Sequence, residues 1–547
     1  MIRSSTPITA LPPLPPPLPL APPPTHSSSS SLNIDIALTY HPDARPSTFG
    51  GSNALGVLLS GITIQPHASA ADGQVFVVEH EAGDPLDPQT WSVRSRIAAT
   101  LLIGSIAFVV GVASSIDSAV VKEAAREFGV NEEVETLATG RYLVGLGIGA
   151  LFSGPCSETL GRNPVYVGTL TLYMASIAAS GLSPTVGAQI AFRFLAGFFG
   201  STPLTCAGGS IADLWSPVDR VYAFPVFANA AFLGPVLGPI LGAFIAQSEH
   251  VSWRWVEWTS LILAAAVLVA VLLFQPETYS PVLLRWKSHH LRALLGDDRY
   301  VAAVELAGDT FWTRLRLALY RPFALTATEP IISLTALYLT VIYVVLFTFF
   351  DGYDYIYGRV HGTSQVATAF CFVAIAVGLF GATALAPLVY RWARRGQLEK
   401  GDGPPPPLLP LKPEFRLWYS MLGGSVCIPV SLLWMGWSSS ARVSIWSPLV
   451  ASVLFGYGIL CVFISSYLYI IDSYESVSAS ALASVTLVRY VAAGGMVSAG
   501  MPMYEKLGVH WTLTIMGGLA ALMAPVPYVF YYYGERIRGK SKYINGK

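Results

Sequence analysis

The stretch AFLGPVLGPILGAF, Ala231–Phe244, decides the fold. It is apolar enough for the middle of a bilayer, yet it holds Pro235 and Pro239 together with Gly234, Gly238 and Gly242. A proline inside a helix removes a hydrogen bond and costs about 3 kcal/mol. Membrane helices tolerate this because neighbours and local adjustment re-satisfy the freed carbonyls. Glycines four apart share a face and let another backbone come close, which is how helices associate in lipid. The stretch therefore reads as a bent, tightly packed membrane helix.

The rest of the chain agrees. Its 547 residues are 53% hydrophobic and 12% charged, whereas a soluble chain carries about 25% charge. From Arg96 onward, apolar runs long enough to cross a bilayer recur about twelve times. They lie near 97–117, 134–154, 165–183, 187–211, 222–246, 255–274, 329–350, 366–390, 416–437, 446–471, 477–501 and 510–533. The longest break, about 275–328, follows the sixth. The expected fold is an all-α membrane protein of twelve transmembrane helices in two six-helix halves, 94–274 and 329–533. Residues 275–328 form the middle loop, 534–547 a short tail. Residues 1–93, with LPPLPPPLPLAPPP and SSSSS, are expected to be a disordered tail, because the prolines forbid a signal helix.

Charge sets the orientation. With the N-terminus inside, the inner segments collect most of the lysines and arginines, Arg162, Arg220, Arg285, Lys287, Arg391 and Arg538 among them. The outer loops hold about one basic residue each. The positive-inside rule then places both termini in the cytoplasm. Formal net charge is zero, which argues against a nucleic-acid binder. The five cysteines sit in or beside apolar runs without metal-ligand spacing, and His289–His290 lacks the further ligands zinc needs. In the middle loop, SPVLLRWKSHHLRALL places Val282, Leu283, Trp286 and Leu291 on a stripe suited to the membrane surface.

Charges inside spans are expensive and face a bundle interior or a cavity. Arg193, Glu257 and Arg489 lie within spans and are read as cavity groups. Asp117 and Arg141 fall near the outer ends of adjacent spans, where they are expected to pair. Asp351, Asp354 and Asp472 read as interfacial. GLGIGALFSG sets Gly145, Gly147 and Gly149 for close packing. The run YLTVIYVVLFTFFDGYDYIY offers Tyr338, Tyr343, Phe347, Phe350 and Tyr353 either as a pocket lining or as a packing belt.

Several segments together resemble the major facilitator superfamily, and within it the fungal branch of twelve-span drug:proton antiporters, over about residues 84–543. GPCSETLGRNPVYVG resembles the family's first motif through Gly154, Glu158, Gly161 and Arg162, with Asn163 where a basic residue is common. Arg162 is placed to bridge Glu158 and Asp213 of GGSIADLW as an inner-side latch. RFLAGFFGS is similar to the span-four motif, which implies that Arg193 takes part in proton transfer. FLGPVLGPILGAF resembles the antiporter signature of span five, whose glycine face is implied to meet span eight and seal the halves on the outer side. WRWVEW, QPETYSPVLLRWKSHHLR and YGERIRGKSKY are further matches.

The resemblance implies two halves rocking about a central cavity. It implies proton-coupled export of a small amphipathic molecule, such as a drug, toxin or secondary metabolite. Glu257, Asp117 and Arg193 are the proton-coupling candidates. Arg141, Tyr343, Phe347, Phe350 and Arg489 are the substrate-cavity candidates. The driving force is a proton gradient with no cofactor and no metal. The partners are substrate, protons and lipid, the location the plasma membrane, the form a monomer. Proton-symport uptake and a non-transporting nutrient sensor are the alternatives. Zinc clusters and a serine elbow are missing from the sequence, which argues against an enzyme.

Overall fold

The computed structural model describes residues 61–66, 74–81, 83–306, 311–398, 412–474, 477–541 and 543. The proline tract and serine run of the expected tail lie outside them.

The N-terminal half contains α1 (Val93–Ala113), α2 (Glu132–Leu160), α3 (Arg162–Gly181), α4 (Val186–Gly200), α5 (Thr202–Leu214), α6 (Arg220–Ala246) and α7 (Trp255–Phe274). Helix α5 continues the line of α4 after a one-residue break at Ser201. Between the halves lie α8 (Ser280–Leu295) and α9 (Phe311–Thr328). The C-terminal half contains α10 (Pro330–Tyr353), α11 (Gln365–Phe370), α12 (Val373–Thr383), α13 (Ala386–Leu398), α14 (Ser425–Ser438), α15 (Trp446–Ser473), α16 (Ser478–Met523) and α17 (Val526–Arg538).

Ten helical stretches among the described residues are long and apolar enough to cross a membrane. One of them runs 61 residues, from Ser478 to Arg538. That is far more than the roughly 20 residues a bilayer requires. It turns at Gly508, whose φ of 75° no other residue type adopts cheaply. Helix α3, 20 residues long, lies between two of the spanning stretches. The final helix runs to Arg538, five residues beyond the expected limit of the last span.

The halves repeat one packing scheme. Helix α1 lies against α6 and α2 against α4; in the second half α10 lies against α16 and α12 against α15. Between halves, α2 meets α16, and α6 meets α12. These contacts are backbone-close. A methyl group on Gly140 would stand 2.6 Å from the Gly494 carbonyl, and one on Gly494 would stand 2.5 Å from the Gly140 carbonyl. The glycines of GLGIGALFSG divide between two partners: Gly145 and Gly149 face the backbone of α4, while Gly147 faces Leu487 of α16.

The opening stretch lies within α6, a continuous helix with Pro225, Pro235 and Pro239 inside it. Its glycine face does not meet span eight. Gly234 rests on Phe108 and Gly111, Gly238 on Val112 and Ser115, and Gly242 on Ile116, all in span one or its short extension. The face turned to the second half is built of other residues. Asn229 Nδ2 donates to Thr383 Oγ1 at 2.7 Å, Ile240 and Ala243 cluster with Ala369, and Phe244 meets Phe370 edge-on. Four-residue spacing announces that a backbone approaches. It carries no information about which one.

The expectation of disorder through residue 93 fails for its last third. Strand β1 (Ile62–Pro66) pairs antiparallel with β2 (Gln74–Val78), and β2 pairs parallel with β3 (Tyr300–Ala302) from the middle loop. Helix α8 packs on this sheet and buries Val282 and Leu291, so that part of its stripe faces protein rather than lipid. Trp286 stays exposed. His80 and Ser280 (Nε2 to Oγ, 2.7 Å) and Lys287 and Asp84 (Nζ to Oδ2, 3.1 Å) tie the tail to α8.

Candidate functional site

The N-terminal half encloses the Arg193 guanidinium among several carboxylates. Arg193 lies two turns into α4 and is fully buried. It donates from Nε to Glu257 Oε1 at 2.8 Å, from Nη1 to the Ala113 carbonyl at 2.8 Å, and from Nη2 to Asp117 Oδ1. Asp117 follows the end of α1, and Glu257 stands in the first turn of α7. Glu257 Oε1 also accepts from Ser180 Oγ at 2.7 Å. One turn before Arg193, Gln189 donates to Glu135 of α2 at 2.8 Å. The Tyr142 ring lies under the guanidinium, 5.8 Å from its centre.

The expected Asp117–Arg141 pair is therefore corrected. Arg141 is exposed on α2, while Arg193 takes the Asp117 carboxylate. Rotation about α2 turns Arg141 away from the bundle. Burial raises the cost of an unpaired charge, so the enclosed guanidinium holds the carboxylates and the exposed one does not.

At the basic end, which the positive-inside rule expects to be the inner end, Arg162 stands where the latch is expected. Its Nε donates to Asp213 at 3.1 Å and its Nη1 to Ser157 Oγ at 2.7 Å. Glu158 is exposed at the end of α2, and Gly154 is buried there. Gly161 has a φ of 104° and turns the chain into α3. The carboxylate of Glu277 caps that helix from outside: Oε1 accepts the Arg162 amide at 2.9 Å and Oε2 the Asn163 amide at 3.1 Å. It thereby fills two of the amides that every helix start leaves open. Asn163, where a basic residue was expected, donates its side chain to the Gln275 carbonyl at 2.9 Å.

A second latch crosses between halves. Asp472 of α15 accepts from Arg220 of α6 at 3.3 Å and from Arg416 at 2.5 Å, while Arg416 also donates to the Pro217 carbonyl at 2.5 Å. Tyr419 donates its hydroxyl to the Val221 carbonyl at 2.9 Å. These bonds close the inner end. At the other end a cavity of about 540 Å³ opens between halves, lined by Ser118, Glu133, Pro239, Phe350, Asp351 and Asp354 among others.

Below that cleft lies an aromatic cluster drawn from both halves. Phe350 lines the cleft and touches Phe347 (centroids 5.2 Å), which touches Tyr343 (6.2 Å). Tyr343 contacts Phe232 of α6 (5.7 Å) and Tyr490 (5.2 Å). Arg489, fully buried, lies over Tyr343, Tyr490, Tyr467 and Phe463 at 4.4 to 5.4 Å. Of the five substrate-cavity candidates, Tyr343, Phe347, Phe350 and Arg489 thus come together, and Arg141 stands apart.

Sequence reasoning missed Glu277, Glu135, Gln189 and the Arg220–Asp472–Arg416 bridge. Asp472, which reads as interfacial in the sequence, instead bridges two arginines across the halves. Its signal was the Arg416–Asp472 match of opposite charges at the inner ends of two spans. Glu277 lay inside a quoted motif, but a cap supplied from 114 residues away leaves no local trace.

Known proteins give the same picture. Residues 103–498 match the family model described as Major Facilitator Superfamily. The MFS-type transporter kojT of Aspergillus oryzae is 49% identical over 472 residues, covering 86% of this chain and 82% of that protein. The ascochitine biosynthesis cluster MFS transporter of Didymella fabae is 34% identical over 463 residues, covering 84% and 87%. Among solved structures, the proton:xylose symporter XylE bound to 6-bromo-6-deoxy-D-glucose superposes with a TM-score of 0.58 at 15% identity, over 81% of this chain and 96% of that one. With a family model matched over most of the chain and relatives along most of its length, the chain belongs to the Major Facilitator Superfamily and is a multi-pass membrane transporter.

Proposed function

We propose that the protein is a proton-coupled exporter of small amphipathic molecules that works by alternating access. The observation that carries this reading is the sharing of buried Arg193 by Asp117 and Glu257. One guanidinium balances one carboxylate. The second carboxylate needs a proton or another cation to be tolerable in a dry site. Ser118, directly after Asp117, lines the outer cleft. A proton arriving from that side meets Asp117 first and Glu257 behind it. Protonation loosens the hold of Arg193 on α1 and α7 and favours the inward-open state, and proton release on the inner side resets it.

The relative from an ascochitine biosynthesis cluster supports export, since a cell that makes such a compound must expel it. We place the protein in the plasma membrane as a monomer with both termini cytoplasmic and no cofactor beyond the proton gradient. Its partners are substrate, protons and lipid, not nucleic acid. The test is Glu257→Gln in vesicles holding a pH-sensitive dye, challenged with acidic, neutral and basic aromatic compounds. Wild type should show compound-dependent proton flux and Glu257→Gln almost none. Equal flux in the variant removes Glu257 from coupling.

A further inference from the structure

Four arginines among the described residues are buried: Arg162, Arg193, Arg416 and Arg489. The first three donate to carboxylates. Arg489 differs. None of its three nitrogens reaches a carboxylate or makes a well-formed hydrogen bond, although each is out of reach of solvent; the Tyr467 and Tyr490 hydroxyls are its polar neighbours. Leaving such donors unmade is expensive, and proteins rarely do it without a use for them. The aromatic rings around Arg489 supply cation–π attraction through their faces. That attraction holds the charge in place while leaving the N–H edge without a carboxylate or other anionic acceptor. The cage contains residues of α10, α15 and α16, and Phe232 of α6 closes it from the other half. It sits between the halves, one ladder of rings below the outer cleft.

We propose that Arg489 anchors the transported molecule and that this molecule is a small, flat organic anion bearing a carboxylate. The guanidinium fork matches two oxygens on one plane. The rings that hold Arg489 also suit the flat body of such a ligand, and Tyr343, Phe347 and Phe350 form its way to the cleft. A cationic substrate would meet an uncompensated charge here, which is the repulsive half of specificity. The proposal rests on the exporter reading and names its substrate class.

The test uses the full-length protein in nanodiscs with benzoate, cinnamate and 2-naphthoate, each paired with its amide and its amine. At least one acid should raise the melting temperature while its amide and amine do not. Arg489→Gln should abolish that response, and Arg489→Lys, which keeps the charge and loses the fork, should weaken acid binding about tenfold. Arg141→Gln should leave it intact. Wild type that prefers no acid over its amide overturns the proposal, whatever the variants do. So does an acid response that survives in Arg489→Gln. Loss of proton flux in Glu257→Gln with acid binding intact separates this result from the coupling reading, because the two sites lie in different halves.

Discussion

Arg193 and Glu257 meet at 2.8 Å, side chains wholly enclosed, and the same guanidinium reaches Asp117. The triad joins α1, α4 and α7, so its charge state acts on the packing of three helices at once. Removing one member of a buried pair leaves a charge without a partner and costs about 3–5 kcal/mol, whereas removing both sides costs far less. Arg193→Gln should therefore lower the melting temperature and the yield of monodisperse protein. Adding Glu257→Gln and Asp117→Asn to Arg193→Gln should recover much of the loss. Additive losses in the triple variant would show that the groups do not act as one unit.

The neighbouring glycines Gly494 and Gly495 should behave oppositely. A methyl group on Gly494 would press on the Gly140 carbonyl across the halves, while one on Gly495 would meet nothing within 4 Å. Overpacking of this kind costs about 1–3 kcal/mol. Gly494→Ala should lower the melting temperature and slow transport. Gly495→Ala should do neither. Equal effects would refute the close α2–α16 contact.

Asp472 holds two arginines, and one of them, Arg220, comes from the other half. Hydrogen bonds to charged groups contribute about 1.5–3 kcal/mol. Asp472→Asn should therefore move the balance toward the inward-open state by about ten- to a hundredfold. Paired spin labels at the inner ends of α6 and α15 should report a longer distance in the variant. An unchanged distribution would mean that Arg416 and Tyr419 close the inner end without Asp472.

Much of this architecture is legible in the sequence, and for one reason. Lipid allows the backbone only a helix or a closed barrel, and an apolar run as long as 222–246 fits the helix, so such runs declare themselves. What the runs do not declare is azimuth. Gly234, Gly238 and Gly242 show that a backbone comes close, but span one and span eight satisfy that equally. Asp117 and Arg141 both fall near the outer ends of adjacent spans in the sequence, yet only the rotation of α2 decides that Arg193 takes the carboxylate. Arg193, Glu257 and Arg489 were found because a charge in hydrocarbon needs a reason. The sheet was missed because β1 and β2 are five residues each and their third strand lies more than 200 residues on. Short strands with a distant partner leave no periodic signal.

The sheet rests on a pair that titrates outside the membrane. Burial alone would push the Asp84 carboxyl up, but the Leu86 amide, the Lys287 ammonium and His80 outweigh it and hold Asp84 below the ordinary value of 3.8. A carboxyl with a lowered folded value contributes stability that is present above its unfolded value and lost as pH falls through the folded one. The part of the contact between tail and α8 that Asp84 supplies should thus be constant from neutral pH down to about pH 5 and weaken below about pH 4. Hydrogen exchange at Gln74–Val78, corrected for intrinsic rates, measures it. Asp84→Asn should show reduced protection already at pH 7, with little further change on acidification. Wild-type protection that holds to pH 3, or equals that of Asp84→Asn at pH 7, would show that the strands are kept by the sheet and α8 packing alone.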